Sequence, residues 1–339
     1  MFSIILLPLL AAMFLAINMG GSGTSAAFSS SYGANIIRKD LIPGLFGFFV
    51  LLGAIMAGKD VTATIGKGVL PESYMTLKIT TIILFSISLS ILFANLLKVP
   101  QSTSQSTVFA LVAVAAFHGS IQMEKLVFLI IPSWFILPVI SFCLTLLLGK
   151  FIYKPLKARN LVNFKELALH PVLRFSVIAS SCFVAFAIGA NNVANAAGPV
   201  HGLLVNQFSV TESSHLYVIC MILATFIIAP CFALGSSIFG ARVLETTGKQ
   251  IVEFGPIGAL AISSVTGSLL ILASLYKGIP TALAQLNVGA ILGLGVYKYG
   301  FNEIMQKSAV LKIFTVWIIA PMISFGLAWG MCVVMGHID

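Results

Sequence analysis

The chain has 339 residues, of which 59% are hydrophobic and only 9% are charged, and its mean hydropathy is +1.06. Water-soluble globular domains of this length do not reach such values, so the composition excludes them and predicts an all-α polytopic membrane protein. The net charge of +9 is spread over short loops without an aromatic-interleaved basic patch, so we expect a lipid bilayer and no nucleic acid as partner.

The first predicted element is a membrane crossing over residues 2–37 that contains Asn18-Met19-Gly20-Gly21-Ser22-Gly23-Thr24-Ser25. Glycines free the backbone there, so we expect the helix to break near mid-depth and a second half-helix to start at residues 22–25. Such a start offers unpaired N–H groups and a partial positive charge, which suit an anion. The alternative interpretation is a small-residue kink that lets two helices pack closely.

The remaining apolar segments complete two halves of about five crossings each. The predicted spans are 41–57, 74–97, 99–117 and 126–148, then a broken crossing at 172–205, then 216–239, 251–276, 279–297 and 313–335. Residues 150–171 form a basic linker that we assign to the cytoplasm, which places both termini outside a bacterial plasma (inner) membrane. The predicted domains are therefore 1–149, the linker 150–171, and 172–339.

The two halves resemble each other in sequence. Trp134-Phe-Ile-Leu-Pro-Val-Ile-Ser-Phe142 is identical at six of nine positions to Trp317-Ile-Ile-Ala-Pro-Met-Ile-Ser-Phe325. Further matches follow in the same order: Pro100 and Gln105 with Pro280 and Gln285, Gly58 and Gly66-Lys67 with Gly240 and Gly248-Lys249, and Asn18 with Asn191. An odd number of crossings per half makes such repeats face opposite ways. Inverted repeats with broken or re-entrant helices at mid-membrane are typical of secondary transporters, with the substrate bound between the halves.

Four polar clusters are predicted to converge on the substrate. The candidate binding residues are Asn18, Gly21, Ser22, Gly23 and Thr24; Ser102, Thr103, Ser104 and Gln105; Asn191, Asn192 and Asn195; and Gln285, with Thr281 and Asn287 nearby. All are uncharged donors that can replace the water around an oxyanion, and they avoid the cost of burying a fixed charge. The alternative is that these groups bond to helix carbonyls or hold neighbouring helices together. We expect no catalytic residue, cofactor or metal, because the five cysteines occur singly in apolar stretches.

Two of these segments resemble a known family. Gly189-Ala-Asn-Asn-Val-Ala-Asn195 resembles the Gly-Ala-Asn-Asp-x-Ala-Asn signature of the inorganic phosphate transporter (PiT) family, and Pro100-Gln-Ser-Thr-Ser-Gln105 resembles its Pro-x-Ser-Thr-Thr-His element. The resemblance extends over both halves and suggests a homodimer. The aspartates of that signature, implicated in phosphate and cation binding in the family, are replaced by Met19 and Asn192, and its histidines by Gln105 and Gln285. The segment 18–25 is closer to the CysP-like sulfate permease branch.

The absence of both aspartates bears on the substrate. Hydrogen phosphate carries a proton that it can donate to a carboxylate. Sulfate carries no proton near neutral pH, so the negative charge of a carboxylate would repel it. The predicted function is therefore import of an inorganic oxyanion, sulfate before phosphate, thiosulfate or molybdate, by cation symport and alternating access. Entry of a dianion into a negative interior costs about 2.3 kcal/mol per charge per 100 mV, so a coupled cation is needed. The family branch suggests protons, with His118, His201 and Glu253 as candidate carriers, and sodium is the alternative.

Two other classes of function remain as alternatives. A passive anion channel would share the composition but could not accumulate substrate against a gradient. An intramembrane enzyme using Gly21-Ser22-Gly23 with His201 gives no reason for Ser102, Gln105 and Gln285 to recur in register, so we predict that the protein is not an enzyme.

Overall fold

The computed structural model describes residues 2–155, 170–241, 243–244 and 255–336, and this part of the chain is almost entirely helical. The first half contains α1 (Phe2–Gly33), α2 (Ile42–Ala57), α3 (Lys59–Lys67), α4 (Leu77–Leu96), α5 (Thr103–Phe117) and α6 (Ile131–Leu148). The second half contains α7 (Pro171–Asn192), α8 (Ala194–Gln207), α9 (His215–Gly235), α10 (Pro256–Leu275), α11 (Leu283–Tyr299) and α12 (Ser308–Gly336). Most of the predicted basic linker, Gly248-Lys249 and Glu253 lie outside the described residues.

Eight helical segments of the described chain are long and apolar enough to cross a membrane, four in each half. Helices α5 and α11 take the place of the fifth crossing in their halves. They have 15 and 17 residues, or about 22 and 26 Å at 1.5 Å per residue, which is less than the roughly 30 Å hydrocarbon core. The polytopic helical fold is thus confirmed, and the re-entrant character of the two short helices stays a prediction.

Helix α1 corrects the prediction about the first crossing. It runs without interruption from Phe2 to Gly33, so the break and the half-helix start expected at residues 22–25 are wrong. The hydroxyl groups of Ser22 and Thr24 donate to the carbonyl oxygens of Met19 and Gly20 within the same helix, so both hydroxyls are satisfied inside α1. In the second half, α7 and α8 are separated by Val193 alone, which keeps helical backbone angles of φ −57° and ψ −32°, so the break expected there is a one-residue irregularity in a helical segment that runs from Pro171 to Gln207.

The glycines of the first crossing serve close helix packing. A Cβ atom at Gly20 would collide with the carbonyl oxygen of Phe232 in α9, and a Cβ atom at Gly235 in α9 would collide with the carbonyl oxygen of Ile17 in α1. The same arrangement recurs between α7 and α2, where Gly189 lies against the carbonyl of Val50 and Gly53 against that of Phe186. By these contacts, Gly20 and Gly189 occupy equivalent positions in the two halves. The sequence alignment matched Asn18 with Asn191 instead, which differs from this structural match by one helical turn.

Contacts of this kind interlock the two halves. Helix α1 packs against α9, α2 against α7, α3 against α8, α5 against α12, and α6 against α11, so each of these pairs joins one half to the other. Helix α5 runs parallel to α12, since Pro100, Ser106 and Phe117 contact Trp317, Ser324 and Trp329 in that order. The division into two inverted repeats stays a prediction, with which these reciprocal pairs agree.

Candidate functional site

The N-termini of α5 and α11 are the most distinctive feature of the interior. Each helix follows a short irregular segment that begins with a lysine in the left-handed region, Lys98 at φ 59° and Lys277 at φ 57°. The side chain of Ser102 accepts a hydrogen bond from the backbone N–H of Gln105 and so caps α5. The other N–H groups of a first helical turn have no intrahelical acceptor, and the turn carries partial positive charge.

Gln105 and Gln285 bring the first turns of these helices together. Each residue lies in the first turn of its helix, and the two carboxamides exchange hydrogen bonds of 3.2 and 3.1 Å. The pair joins the two halves at positions 180 residues apart. Because both amide groups are occupied by each other, the structure places these predicted binding residues in a contact between the halves.

Thr103, Ser104, Asn192 and Asn195 form a buried hydrogen-bonded cluster beside this contact. Asn192 Nδ2 donates to Thr103 Oγ1 at 3.0 Å, and Asn195 Nδ2 donates to the same oxygen at 3.2 Å and to Ser104 Oγ at 3.2 Å. The two donors occupy both lone pairs of the Thr103 hydroxyl, which leaves its hydrogen free to donate. The cluster joins the N-terminus of α5 to the junction of α7 and α8.

Two carboxamide oxygens of the cluster can each accept a further hydrogen bond. The Oδ1 atoms of Asn192 and Asn195 are buried and have no hydrogen-bond partner among the described residues. Buried polar groups are rarely left without partners, so these two oxygens are available to accept from a hydrogen-bond donor or to coordinate a cation. Rotation of a carboxamide by 180° would present its NH₂ group in place of its oxygen, so neutral asparagines can serve an anion or a cation.

Asn191 has a different task from its neighbours. Its Nδ2 donates to Ser274 Oγ at 2.9 Å and to the carbonyl of Ile279 at 2.8 Å, while its Oδ1 accepts from the backbone N–H of Thr281 at 3.0 Å. These bonds hold the irregular segment before α11. In the structure, this predicted binding residue therefore holds the N-terminal approach to α11 in place.

We expect Asn191→Ala to lower both stability and uptake, because it leaves the buried N–H of Thr281 without its acceptor, at about 1–3 kcal/mol. The carbonyl of Ile279 loses one of its two donors and keeps the Thr281 hydroxyl. Thermal unfolding of the purified variant measures the effect on stability. Asn287→Ala is the control, since the one contact of that buried amide, to Thr266 Oγ1, is long at 3.5 Å. Equal melting temperatures for the two variants would contradict the assignment.

The first polar stretch does not join this hydrogen-bonded cluster. Asn18 Nδ2 donates to the carbonyl of Phe14 within α1, and Gly21 and Gly23 lie in tight contact with Phe239 and Phe46. With the back-bonded Ser22 and Thr24, the stretch has the packing role that was the alternative interpretation of the sequence. Only the Oδ1 atom of Asn18 is buried without a partner.

Two residues near the site were missed by sequence reasoning. Asn95 Nδ2 donates to the backbone carbonyl of Asn18 at 2.7 Å, and Gln101 Nε2 donates to Ser90 Oγ at 3.3 Å and also contacts Ser106 Oγ. The oxygens of both carboxamides are buried without partners. Asn95 could have been found as a carboxamide inside an otherwise apolar span.

Two of the candidate proton carriers, His118 and His201, make no hydrogen bond to the donor cluster among the described residues. His118 is exposed at the end of α5, packed against Tyr74 and Phe117. His201 is buried in α8, where Nε2 lies 3.3 Å from the carbonyl of Tyr217 and Nδ1 has no partner among the described residues. Glu253 lies outside the described residues.

A charged group lies near His201 at the end of α3. Lys67 pairs with Glu212, and Tyr217 donates to Glu72 at 3.5 Å, so both contacts join the two halves. Burial raises the pKa of Glu72 above its usual range, and the nearby Lys67 acts in the opposite direction. A raised carboxyl pKa makes Glu72 easier to protonate in the folded protein than in the unfolded chain.

Comparisons with known proteins identify the family of the chain. A family model described as the phosphate transporter family matches residues 19–328. The sulfate permease CysP of Bacillus subtilis is 33% identical over 327 residues, which cover 96% of this chain and 86% of that protein. A putative phosphate permease of Pyrococcus furiosus is 23% identical, over 93% of this chain and 92% of that protein.

One solved structure has the same fold. A sodium-dependent phosphate transporter superimposes with a TM-score of 0.84 over 99% of this chain and 100% of its own, at 23% sequence identity. The resemblance predicted from residues 100–105 and 189–195 is thereby confirmed at the level of family and fold.

Proposed function

The chain belongs to the phosphate transporter family and is therefore a multi-pass membrane transporter for an inorganic anion, and we propose that its substrate is sulfate, imported by cation symport. The proposal follows the sequence analysis in its substrate, its alternating access and its preference for protons over sodium as the coupling ion. We also propose a bacterial plasma membrane location with both termini outside, and a homodimer as the family resemblance suggests.

One observation carries the proposal. Thr103, Ser104, Asn192 and Asn195 form a buried set of uncharged donors at the N-terminal turn of α5, which itself meets the N-terminal turn of α11. Helix N-termini and hydroxyl donors stabilise an oxyanion without a fixed counter-charge. A site of neutral dipoles can release its substrate more readily than an ion pair in a low-dielectric interior.

The choice of sulfate rests on what the cluster lacks. None of its four side chains is a carboxylate, so a protonated phosphate would find no charged acceptor and sulfate would meet no fixed negative charge. The similarity to a sulfate permease over most of the chain supports the same choice. Phosphate remains the second candidate, because most of the other relatives named above carry phosphate in their descriptions.

The coupling cation is proposed on electrostatic grounds. Two charges on sulfate oppose a negative interior by about 4.6 kcal/mol at 100 mV, so at least two positive charges must enter with each anion for net accumulation. Protons are our first proposal. The partnerless carboxamide oxygens of Asn18, Asn95, Asn192 and Asn195 supply hard ligands that would also suit sodium.

Uptake of labelled sulfate into proteoliposomes, with competing oxyanions, tests the substrate. We expect unlabelled sulfate to compete best, with thiosulfate and molybdate weaker and phosphate weakest, because phosphate alone carries a proton near neutral pH. An inward proton gradient should drive accumulation above the external concentration, and a sodium gradient at equal pH should not.

Three results would change the proposal. Stronger competition by phosphate would replace the substrate, and accumulation driven only by sodium would replace the coupling ion. Uptake that equilibrates without exceeding the external concentration under either gradient would indicate a passive channel. Protein-free liposomes and liposomes with Thr103→Val protein serve as controls for leakage.

A further inference from the structure

Helices α6 and α12 hold the N-termini of α11 and α5 by matching hydrogen bonds. Trp317 Nε1 in α12 donates to the carbonyl of Pro100 at 3.2 Å, and Trp134 Nε1 in α6 donates to the carbonyl of Pro280 at 3.0 Å. Two serines, each further along the same helix than its tryptophan, repeat the pattern. Ser324 Oγ donates to the carbonyl of Ser106 at 2.8 Å, and Ser141 Oγ donates to that of Leu286 at 2.9 Å.

Each of these bonds crosses between the halves. The tryptophan and serine of the second half hold the helix start of the first half, and the reverse holds on the other side. The donors are 183 residues apart and their acceptors 180 residues apart, so the contacts are equivalent by position as well as by chemistry. A single indole–carbonyl hydrogen bond would be ordinary packing. Two matching pairs of hydrogen bonds, one pair from the tryptophans and one from the serines, indicate that both helix starts are held in the same way.

We propose that Trp134 and Trp317 are positioning residues that fix the N-terminal turns of α11 and α5 against each other, so that the anion site is assembled only when both bonds are made. This inference deepens the proposed anion transport. The Pro100 and Pro280 carbonyls lie in the irregular segments before the two helices, where a carbonyl has no regular helical partner. The indole donors therefore determine where each segment ends and its helix begins.

The location of the bonds relative to the site explains their effect. Thr103 follows Pro100 by three residues and contacts both asparagines, so a shift of the Pro100 segment displaces the donor cluster directly. On the other side, the segment that contains Pro280 is held by Asn191 and leads to Gln285. The Gln105–Gln285 contact then transmits the position of one turn to the other.

The test removes one indole donor at a time. Trp317→Phe and Trp134→Phe should each raise the KM for sulfate uptake about three- to tenfold, the loss of one hydrogen bond, with a smaller change in maximal rate. Hydrogen exchange of the protein without substrate should become faster in segments 97–106 and 277–286. The chain contains three tryptophans, so Trp329→Phe is the matched control: that ring contacts Phe117 and Phe325, away from the irregular segments.

A second substitution separates the bond from the volume of the ring. Incorporation of 3-benzothienylalanine at position 317 keeps the shape of tryptophan but removes the N–H, so it should reproduce the KM and exchange effects of Trp317→Phe. If the analogue leaves both unchanged, or if Trp329→Phe has the same effect, the inference is overturned and the tryptophans are packing residues. If the wild-type protein takes up no sulfate, the proposed substrate fails, and hydrogen exchange alone decides the inference.

Discussion

Thr103→Val should reduce sulfate affinity by about 10- to 150-fold and leave uptake barely measurable, in a protein that still folds but melts at a lower temperature, because Asn192 Nδ2 loses its buried acceptor. Valine keeps the shape of threonine but removes the hydroxyl that accepts from Asn192 and Asn195 and whose hydrogen is free to donate. Loss of a hydrogen bond to a charged group costs about 1.5–3 kcal/mol, which corresponds to this range of affinity. Calorimetric titration with sulfate measures the binding, and proteoliposome uptake measures the transport.

Thr107→Val is the control for this substitution. Thr107 lies one turn further along the same helix, is equally buried, and donates only to the carbonyl of Thr103. We expect it to lose less than about twofold in affinity, because helix back-bonds of this kind contribute little. Similar losses in both variants would mean that the cluster is structural and that the anion binds elsewhere.

Cross-linking the starts of α5 and α11 should stop transport without preventing folding. In a background with the five native cysteines replaced by alanine, Gln105→Cys and Gln285→Cys would place two thiols where the carboxamides now meet. A short bis-methanethiosulfonate reagent spans the distance that the two longer side chains occupy. Alternating access requires the halves to move against each other, so a covalent link at this contact should reduce uptake to background.

The expected effect has two controls. Each single cysteine variant, treated with the same reagent, should retain the uptake of its untreated form, and dithiothreitol should restore transport to the linked double variant. If the linked protein transports at its original rate, the two helix starts stay together throughout the cycle, and the motion that alternates access must occur at another boundary.

The prediction from the sequence succeeded where one residue type has one physical use. Trp134 and Trp317 suggested a repeat because tryptophan is rare in this chain, and each contacts the other half in the structure. The asparagines at 192 and 195 were placed at the site because carboxamides in an apolar helix must find polar partners. The structure gives them Thr103 and Ser104 as those partners.

The prediction failed where the same residues have two physical uses. Glycine can interrupt a helix, and it can also let two intact helices touch, as Gly20 does against the carbonyl of Phe232. The sequence of α1 does not contain its partner helix, so it could not distinguish these uses. The hydrogen bonds of Asn191 were not foreseen for a related reason: its partners Ser274, Ile279 and Thr281 lie more than 80 residues away along the chain.

The exchange of partners between the halves has a consequence for biogenesis. Helix α1 leaves the ribosome long before α9, whose Gly235 faces Ile17, so the nascent first half must wait in the bilayer with its glycine-lined surfaces against lipid. The waiting half would expose Asn18 and Thr103 to hydrocarbon unless a chaperone or the insertion machinery shields them. Co-expression of the two halves as separate chains should therefore rescue each from degradation, whereas either half synthesised alone should be cleared by membrane proteases.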